Sequence, residues 1–242
     1  MRDSSDALAS DAAGPIRFAA VLRTGAEITM AGRWLGLLGS LVAATALAQQ
    51  APLKGNPQHG EILAYTCLGC HGIEGYRNAY PAYAVPRLSG QHADYLVSAL
   101  HEYRSDARQY PTMHLQALSL SDQDMADVAA YLAGKPLIAT SRASAPQVPQ
   151  PAVLCTSCHG RDGIGVTPAY PSLAGQHFSY LVRAIQEYQT GYRKNPIMNG
   201  MAASLKPAEI RVIAGYFSSL KPGLHTESRP YFSWTDHQAD SK

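Results

Sequence analysis

The sequence contains CLGCH at residues 67–71 and CTSCH at residues 155–159, and these two pentapeptides hold all four cysteines of the chain. Both follow the pattern Cys-x-x-Cys-His, in which the two thiols add across the vinyl groups of a haem and the histidine ligates its iron. Two intervening residues place both sulfurs on one face of a helical turn. The sequence therefore predicts two covalently attached haem c groups. Their protein ligands are predicted to be Cys67, Cys70 and His71, and Cys155, Cys158 and His159.

Paired cysteines also occur in zinc sites, in disulfides and in thioredoxin-like redox centres. A single zinc ribbon is disfavoured because Cys67 and Cys155 lie 88 positions apart, whereas ribbon pairs are separated by roughly 15–20 residues. Neither a ribbon nor a redox disulfide requires a histidine directly after each pair. A structural metal site or a disulfide pair remains the alternative to haem.

The composition is that of a globular protein. The chain has 242 residues, of which 46% are hydrophobic and 16% charged, with a formal net charge of +2. Each half is too small to build a large core alone, so an apolar macrocycle would supply part of it. The sequence lacks a Lys/Arg-rich run and a base-stacking motif, so nucleic acid is not an expected partner.

Residues 1–48 are predicted to be an export segment. The uncharged run Trp34–Ala48 follows Arg33 and ends in Ala46-Leu47-Ala48, the small-x-small pattern of signal peptidase sites. The run is shorter than the roughly 20 residues that a membrane-spanning helix needs, so cleavage after Ala48 is expected. Met30 is a more normal start for such a segment than Met1. Export and haem attachment together predict a periplasmic protein.

The chain contains an internal repeat. Residues 89–104 align with 174–189, and residues 118–132 align with 203–217, both at an offset of 85. A tandem repeat of this kind indicates two similar domains. The predicted boundaries are residues 54–134 for domain 1, 135–150 for a Pro/Ala/Ser-rich linker, 151–222 for domain 2 and 223–242 for a C-terminal tail.

Both domains are predicted to be all-α. Apolar side chains at helical spacing indicate a helix over 91–104, and Ser121 is typical of a helix N-cap. A further helix is expected to run from Pro57 into the first Cys motif. Residues 144–154 contain three prolines ahead of the second motif, so domain 2 lacks a convincing opening helix. Its haem is expected to be more exposed, or its fold less stable.

The repeat also selects a candidate for the second iron ligand. Met113 and Met198 correspond at the offset of 85, and each lies two residues after a proline, in a segment expected to be a loop. Met125 and Met201 have no methionine partner at this offset. A methionine ligand raises the iron potential relative to a histidine ligand.

Histidine ligation on both sides of the iron remains open at this stage. His92 and His177 also recur, in Gly-Gln-His of both domains. The same repeat places a Pro-x-Leu segment after each motif, beginning at Pro86 and Pro171. A carbonyl there is expected to accept the Nδ1–H of the preceding haem histidine, as metal-bound histidines generally require.

These motifs occur in order in both halves, and over residues 55–222 the chain resembles the dihaem cytochrome c4 family. The resemblance implies two tandem class I cytochrome c domains related by a pseudo-twofold axis. It also implies Met113 and Met198 as iron ligands, and a periplasmic, often membrane-associated electron carrier. Its partners would be a cytochrome bc1-type donor and a terminal oxidase acceptor.

Two other functions remain as alternatives. One is a dihaem enzyme, such as a thiosulfate dehydrogenase or a peroxidase, in which one iron has a labile or different ligand. The other is the cytochrome subunit of a membrane dehydrogenase.

The two halves of the chain differ in net charge. Residues 54–134 hold 5 basic and 8 acidic side chains, net −3, whereas residues 151–242 hold 9 basic and 6 acidic side chains, net +3. This asymmetry suggests docking between partners of opposite surface charge.

Overall fold

The computed structural model describes residues 53–134, 137 and 146–228, and the fold of these residues is helical. The helices are α1 (Pro57–His71), α2 (Ala93–Arg104), α3 (Pro111–Leu118), α4 (Asp122–Ala133), α5 (Thr156–His159), α6 (Phe178–Thr190), α7 (Pro196–Ala202) and α8 (Pro207–Ser219), with a 3-10 turn at Gln150–Ala152. Isolated β-bridges occur within these ranges, but no strand does. The all-α prediction is confirmed. The predicted export segment and most of the predicted linker lie outside the described residues.

Domain 1 is built from α1 to α4. Helix α1 packs against α4, and α2 packs against both α3 and α4. Helix α4 begins with a capping box, in which Ser121 and Asp124 exchange side-chain to backbone hydrogen bonds, as its sequence predicts. The buried apolar side chains of this domain are Ala64, Leu68, Leu96, Val128, Ala129 and Leu132.

Domain 2 repeats this arrangement with a shorter beginning. Helix α6 packs against α7 and α8, and α8 packs against the 3-10 turn. The 15-residue α1 of domain 1 is replaced by this turn and the 4-residue α5. Prolines at 146, 149 and 151 remove backbone donors that a longer helix would need. The prediction that domain 2 lacks an opening helix is confirmed.

The segments that hold Met113 and Met198 are helices, so the expectation of loops was wrong. Pro111 and Pro196 each occupy the first helical turn of α3 and α7. A proline there has the φ angle of a helix, and its missing N–H would have had no partner within the helix. Proline therefore favours the start of these helices.

The two domains contact each other through equivalent residues. Arg108 and Arg193 form an isolated antiparallel bridge. On either side of it, Gln109 N donates to Tyr192 O at 2.9 Å and Lys194 N donates to Ala107 O at 2.7 Å. These bonds are equivalent, since residues 107–109 correspond to 192–194 at the offset of 85. The domains are therefore related by a local twofold.

The chain returns to domain 1 after α8. In this return segment, residues 223–226, Leu224 N donates to Ala174 O at 2.7 Å and His225 N donates to Ser89 O at 3.2 Å. Gly223 lies so close to domain 2 that a Cβ would approach the Ala174 carbonyl oxygen to 2.6 Å. The return segment therefore joins both domains. The aromatic residues of the tail, at 231, 232 and 234, lie outside the described residues.

Asp127 connects the beginning of α1 to α4. Its buried carboxylate accepts hydrogen bonds from Asn56 N, His59 Nδ1 and Gln123 Nε2, each at 2.7 Å. The hydrogen bond from Asn56 N, followed by that from His59, lowers the pKa of Asp127. Since the folded state holds the ionised form, this contribution to stability is present above the ordinary pKa of about 3.9 and is lost as the pH falls through the lower folded value.

We expect Asp127→Asn to reduce the free energy of unfolding by about 1–3 kcal/mol near neutral pH, because a charged acceptor of three donors is lost. The difference between variant and wild type should shrink below about pH 4. Urea unfolding followed by circular dichroism from pH 7 to pH 2.5 measures it. A difference that stays constant over this range would contradict the assignment to the ionised carboxylate.

Candidate haem sites

The first Cys-x-x-Cys-His motif forms the last turn of α1. Cys67 packs against the apolar core of domain 1, whereas Cys70 is exposed. His71 is the last residue of the helix and is partly buried. The helical turn thus presents two thiols and an imidazole from one short segment.

The second motif is followed by Gly160, and the backbone conformation at this position requires a glycine. Cys155 precedes α5 and packs against the core of domain 2, and His159 ends α5. Gly160 follows with φ 76°, and a Cβ at this position would lie 2.2 Å from the Ile164 carbonyl oxygen. His159 is only 7% exposed, whereas His71 is more accessible. The expected greater exposure of the second site is therefore not found at its histidine.

Both histidine rings are held by a backbone carbonyl. His71 Nδ1 lies 2.8 Å from Pro86 O, and His159 Nδ1 lies 2.9 Å from Pro171 O. Because a carbonyl oxygen only accepts, Nδ1 carries the proton and Nε2 keeps its lone pair. Burial lowers the pKa of both imidazoles and outweighs the opposing effect of these hydrogen bonds. The neutral form, which a metal requires, is thus favoured, and the predicted role of the two proline carbonyls is confirmed.

A cavity of about 350 Å³ lies beside the second motif. Cys155, Cys158 and His159 line it, and so does Met198 of α7. This volume lies within the range of cofactor pockets, and a largely apolar wall suits a haem. The apolar wall includes Leu181, Ile185, Leu205, Ile213, Ala214 and Phe217. At the offset of 85, domain 1 carries Leu96, Leu100, Leu120, Val128, Ala129 and Leu132. The residues present therefore fit one haem in each domain.

The cavity brings together two methionines, of which the repeat had selected one. Met201, one turn after Met198 on α7, also lines the cavity. Asn195 caps this helix, and its Oδ1 accepts a hydrogen bond from Met198 N at 3.1 Å. The corresponding helix α3 places Met113 at the same position, after an N-cap, Tyr110, that makes no side-chain capping bond.

His92 and His177 lie where α2 and α6 begin, and neither lines the cavity. His92 Nε2 is 3.2 Å from Gly165 O of domain 2, so this ring makes an interdomain hydrogen bond. Burial lowers the pKa of His177, and the nearby charges of Arg87 and Glu74 in domain 1 have smaller, opposing effects on it. The structure thus gives both histidines a place at the domain interface, and His177 does not line the cavity of the second site.

Two buried arginines were not predicted from the sequence. Arg108 and Arg193 are 3% and 5% exposed. Arg108 Nε donates to Glu102 at 2.5 Å, and Arg193 Nε donates to Glu187 at 2.6 Å. Each guanidinium lies over two tyrosine rings of its own domain, at 5.3–5.8 Å from their centroids. These arginines and glutamates all recur at the offset of 85, so the test applied to methionines would have found them.

Domain 1 completes the wall of the cavity in domain 2. Tyr95, Ser98, Glu102 and Arg108, all from domain 1, line the cavity together with Arg193 and Tyr188 of domain 2. Burial raises the pKa of Tyr188 to about 12, so its hydroxyl stays protonated. The second site is therefore formed by both domains and depends on their association.

Comparison with known proteins agrees with this arrangement. The family model for cytochrome c matches residues 58–135 and 152–221. Cytochrome c4 of Pseudomonas aeruginosa is 32% identical over 200 residues, which cover 76% of this chain and 98% of that protein. The chain belongs to the cytochrome c4 family. It is a dihaem c-type cytochrome of electron transfer, and each domain carries one covalently attached haem c.

Two further similarities fit this family. The solved structure of reduced cytochrome c4 from Pseudomonas stutzeri has a TM-score of 0.55 at 28% identity, covering 71% of this chain and 100% of that one. A protein of Stutzerimonas stutzeri named thiosulfate dehydrogenase electron acceptor is 33% identical over 178 residues, which cover 65% of this chain and 80% of that protein.

The buried ion pair of Arg193 and Glu187 gives a testable stability effect. We expect Glu187→Leu to reduce the free energy of unfolding by about 3–5 kcal/mol, because it leaves a buried guanidinium without its carboxylate. Adding Arg193→Met should recover part of this loss. Arg183, which also pairs with Glu187 but is about one-third exposed, provides the control, and Arg183→Met should cost about 1 kcal/mol or less. Chemical denaturation of the wild type, Glu187→Leu, Arg193→Met, the double variant and Arg183→Met measures these values, and additive effects of Glu187→Leu and Arg193→Met would contradict the coupling.

Proposed function

We propose that the protein is a periplasmic electron carrier in which each iron is bound between a histidine and a methionine. His71 and Met113 would bind the first iron, and His159 and Met198 the second. The observation that carries this proposal is the fixed tautomer of both histidines, with Nδ1 at 2.8 and 2.9 Å from a backbone carbonyl and Nε2 left for the metal. When bound, a haem accepts and releases one electron at a time.

The chain's own residues would orient this group and exclude water. The apolar wall of α6 and α8 surrounds the cavity, and α7 brings Met198 to it. If His71 with Met113 and His159 with Met198 hold the two irons, no position would remain open for a substrate. The reaction would then be outer-sphere electron transfer, and the protein would determine potential and docking without catalysing a chemical step.

The predicted export segment and the family support a place in the respiratory chain of the periplasm. We infer a quinol–cytochrome c oxidoreductase of the cytochrome bc1 type as donor, a terminal oxidase as acceptor, and peripheral association with the membrane. None of the helices in the described ranges has the length and hydropathy needed to cross a bilayer. The opposite net charges of the two halves, −3 for residues 54–134 and +3 for residues 151–242, would orient the carrier between these partners.

A second donor is supported by one comparison. The Stutzerimonas relative is named as the electron acceptor of a thiosulfate dehydrogenase, and this chain would accept electrons from such an enzyme by the same outer-sphere route. This differs from the alternative in which the chain is itself the dehydrogenase, which requires an iron with an open or exchangeable position.

We expect Met113→His and Met198→His each to abolish half of the absorption band near the red end of the visible spectrum of the oxidised protein, which reports methionine ligation. The potential of the altered haem should fall, because imidazole in place of a thioether favours the oxidised iron. Optical spectroscopy and redox titration of the periplasmic holoprotein measure both effects.

Met201→Leu is the matched control, since Met201 lines the same cavity one turn further along α7. It should leave the band and the potential unchanged. Loss of the band in this variant would identify Met201 as the ligand instead. Rapid binding of carbon monoxide to the reduced wild type would contradict closed coordination at both irons and favour an enzyme.

Charge steering predicts that the rates of reduction and oxidation depend on ionic strength. We expect the second-order rate constants with the quinol–cytochrome c oxidoreductase and with the terminal oxidase to fall as salt rises from about 10 mM to 0.5 M, because the Debye length shortens from about 30 Å to a few ångströms. Stopped-flow kinetics with these partners, and with a thiosulfate dehydrogenase, would rank the donors. Rates independent of salt would contradict the proposed steering.

A further inference from the structure

Two buried glutamines cross the domain interface in a reciprocal manner. Gln176 of domain 2 pairs with the backbone of Arg87: its Oε1 accepts from Arg87 N and its Nε2 donates to Arg87 O, both at 2.9 Å. Gln91 of domain 1 pairs with the backbone of Ser172 in the same way, at 2.8 and 3.0 Å. Gln91 and Gln176 correspond at the offset of 85, as do Arg87 and Ser172. Gln91 and Gln176 are 5% and 4% exposed, so their hydrogen bonds are shielded from solvent.

The peptide groups that the glutamines contact are those that hold the haem histidines. The carbonyl of Pro86, which accepts from His71 Nδ1, belongs to the same peptide unit as the N–H of Arg87, which donates to Gln176. In domain 2, the carbonyl of Pro171 accepts from His159 Nδ1, and the N–H of Ser172 in that unit donates to Gln91. One peptide group thus separates each histidine from a side chain of the opposite domain.

Hydrogen bonds on the two ends of a peptide group reinforce each other. When its N–H donates, the group becomes more polarised and its carbonyl oxygen becomes a stronger acceptor, by about 10–30% per bond. A stronger acceptor at Nδ1 makes the imidazole a better electron donor through Nε2, as outer-shell carboxylates and carbonyls do at other metal-bound histidines. A more basic imidazole stabilises the oxidised iron, so the potential falls.

We propose that Gln91 and Gln176 are positioning residues that tune the haem of the opposite domain: Gln176 lowers the potential at His71, and Gln91 lowers the potential at His159. The proposal rests on the histidine ligation proposed above. It makes the potential of each haem depend on domain association, through one glutamine and one peptide group in each direction.

The test uses the full holoprotein with Gln176→Met and, separately, Gln91→Met. Methionine keeps the length of the side chain and removes both its acceptor and its donor. In Gln176→Met, the one-electron equilibrium of the haem attached at Cys67 and Cys70 should shift about three- to tenfold toward reduction, a rise of about 30–60 mV. The other haem should shift less than twofold. Gln91→Met should produce the reverse pattern.

Two measurements assign the effect to the correct haem. Redox titration followed by NMR of assigned haem resonances gives each potential separately. The ¹⁵N shift of Nδ1 in the reduced, diamagnetic protein reports the hydrogen bond of His71 and of His159 directly. In Gln176→Met the Nδ1 signal of His71 should move toward that of a weaker hydrogen bond, and the signal of His159 should stay in place.

Ser179→Ala is the matched control. Ser179 Oγ accepts an interdomain hydrogen bond from Ala84 N at 3.0 Å, and it contacts neither histidine-binding peptide. This variant removes an interdomain hydrogen bond at another place in the interface and should leave both potentials unchanged. If Ser179→Ala reproduces the shifts, if Gln176→Met alters both haems equally, or if each glutamine acts on its own domain, the proposal is overturned. Absence of a ligated His71 or His159 in the wild-type spectrum would instead overturn the ligation itself, before any variant is made.

Discussion

The hydrogen bond between each haem histidine and a backbone carbonyl is the interaction on which both sites depend. At 2.8 and 2.9 Å, it fixes one tautomer and one ring orientation, and it does so from a segment that also forms the domain interface. The residue after each of these prolines is paired with a glutamine of the other domain. The backbone that orients each histidine therefore also takes part in domain association.

The repeat made much of this structure predictable. The offset of 85 found the corresponding helices and the methionines that each occupy the same position in α3 and α7. Capping signals gave the start of α4 at Ser121, and the prolines before Cys155 explained why no long helix opens domain 2. Such features are local, since they depend on residues within one or two turns. They can therefore be predicted without knowing which surfaces pack against them.

The remaining features depend on burial and packing, which local sequence patterns do not show. In the sequence, Arg108 and Arg193 resemble ordinary surface arginines. In the fold, each is enclosed by a glutamate and two tyrosines of its own domain. A charge survives burial only with such partners. Similarly, Gly-Gln-His had suggested a ligand at His92, but packing of the two domains directs that ring to Gly165.

The return segment has a consequence for how tightly the domains stay together. It leaves α8 and hydrogen bonds to both domains, through Ala174 and Ser89, so it belongs to the interface between the two halves that the linker tethers. Tethered surfaces meet at an effective concentration in the millimolar range for short connections. An interface too weak to assemble two separate chains would still remain closed while the linker is intact, and the return segment adds a hydrogen bond across that interface.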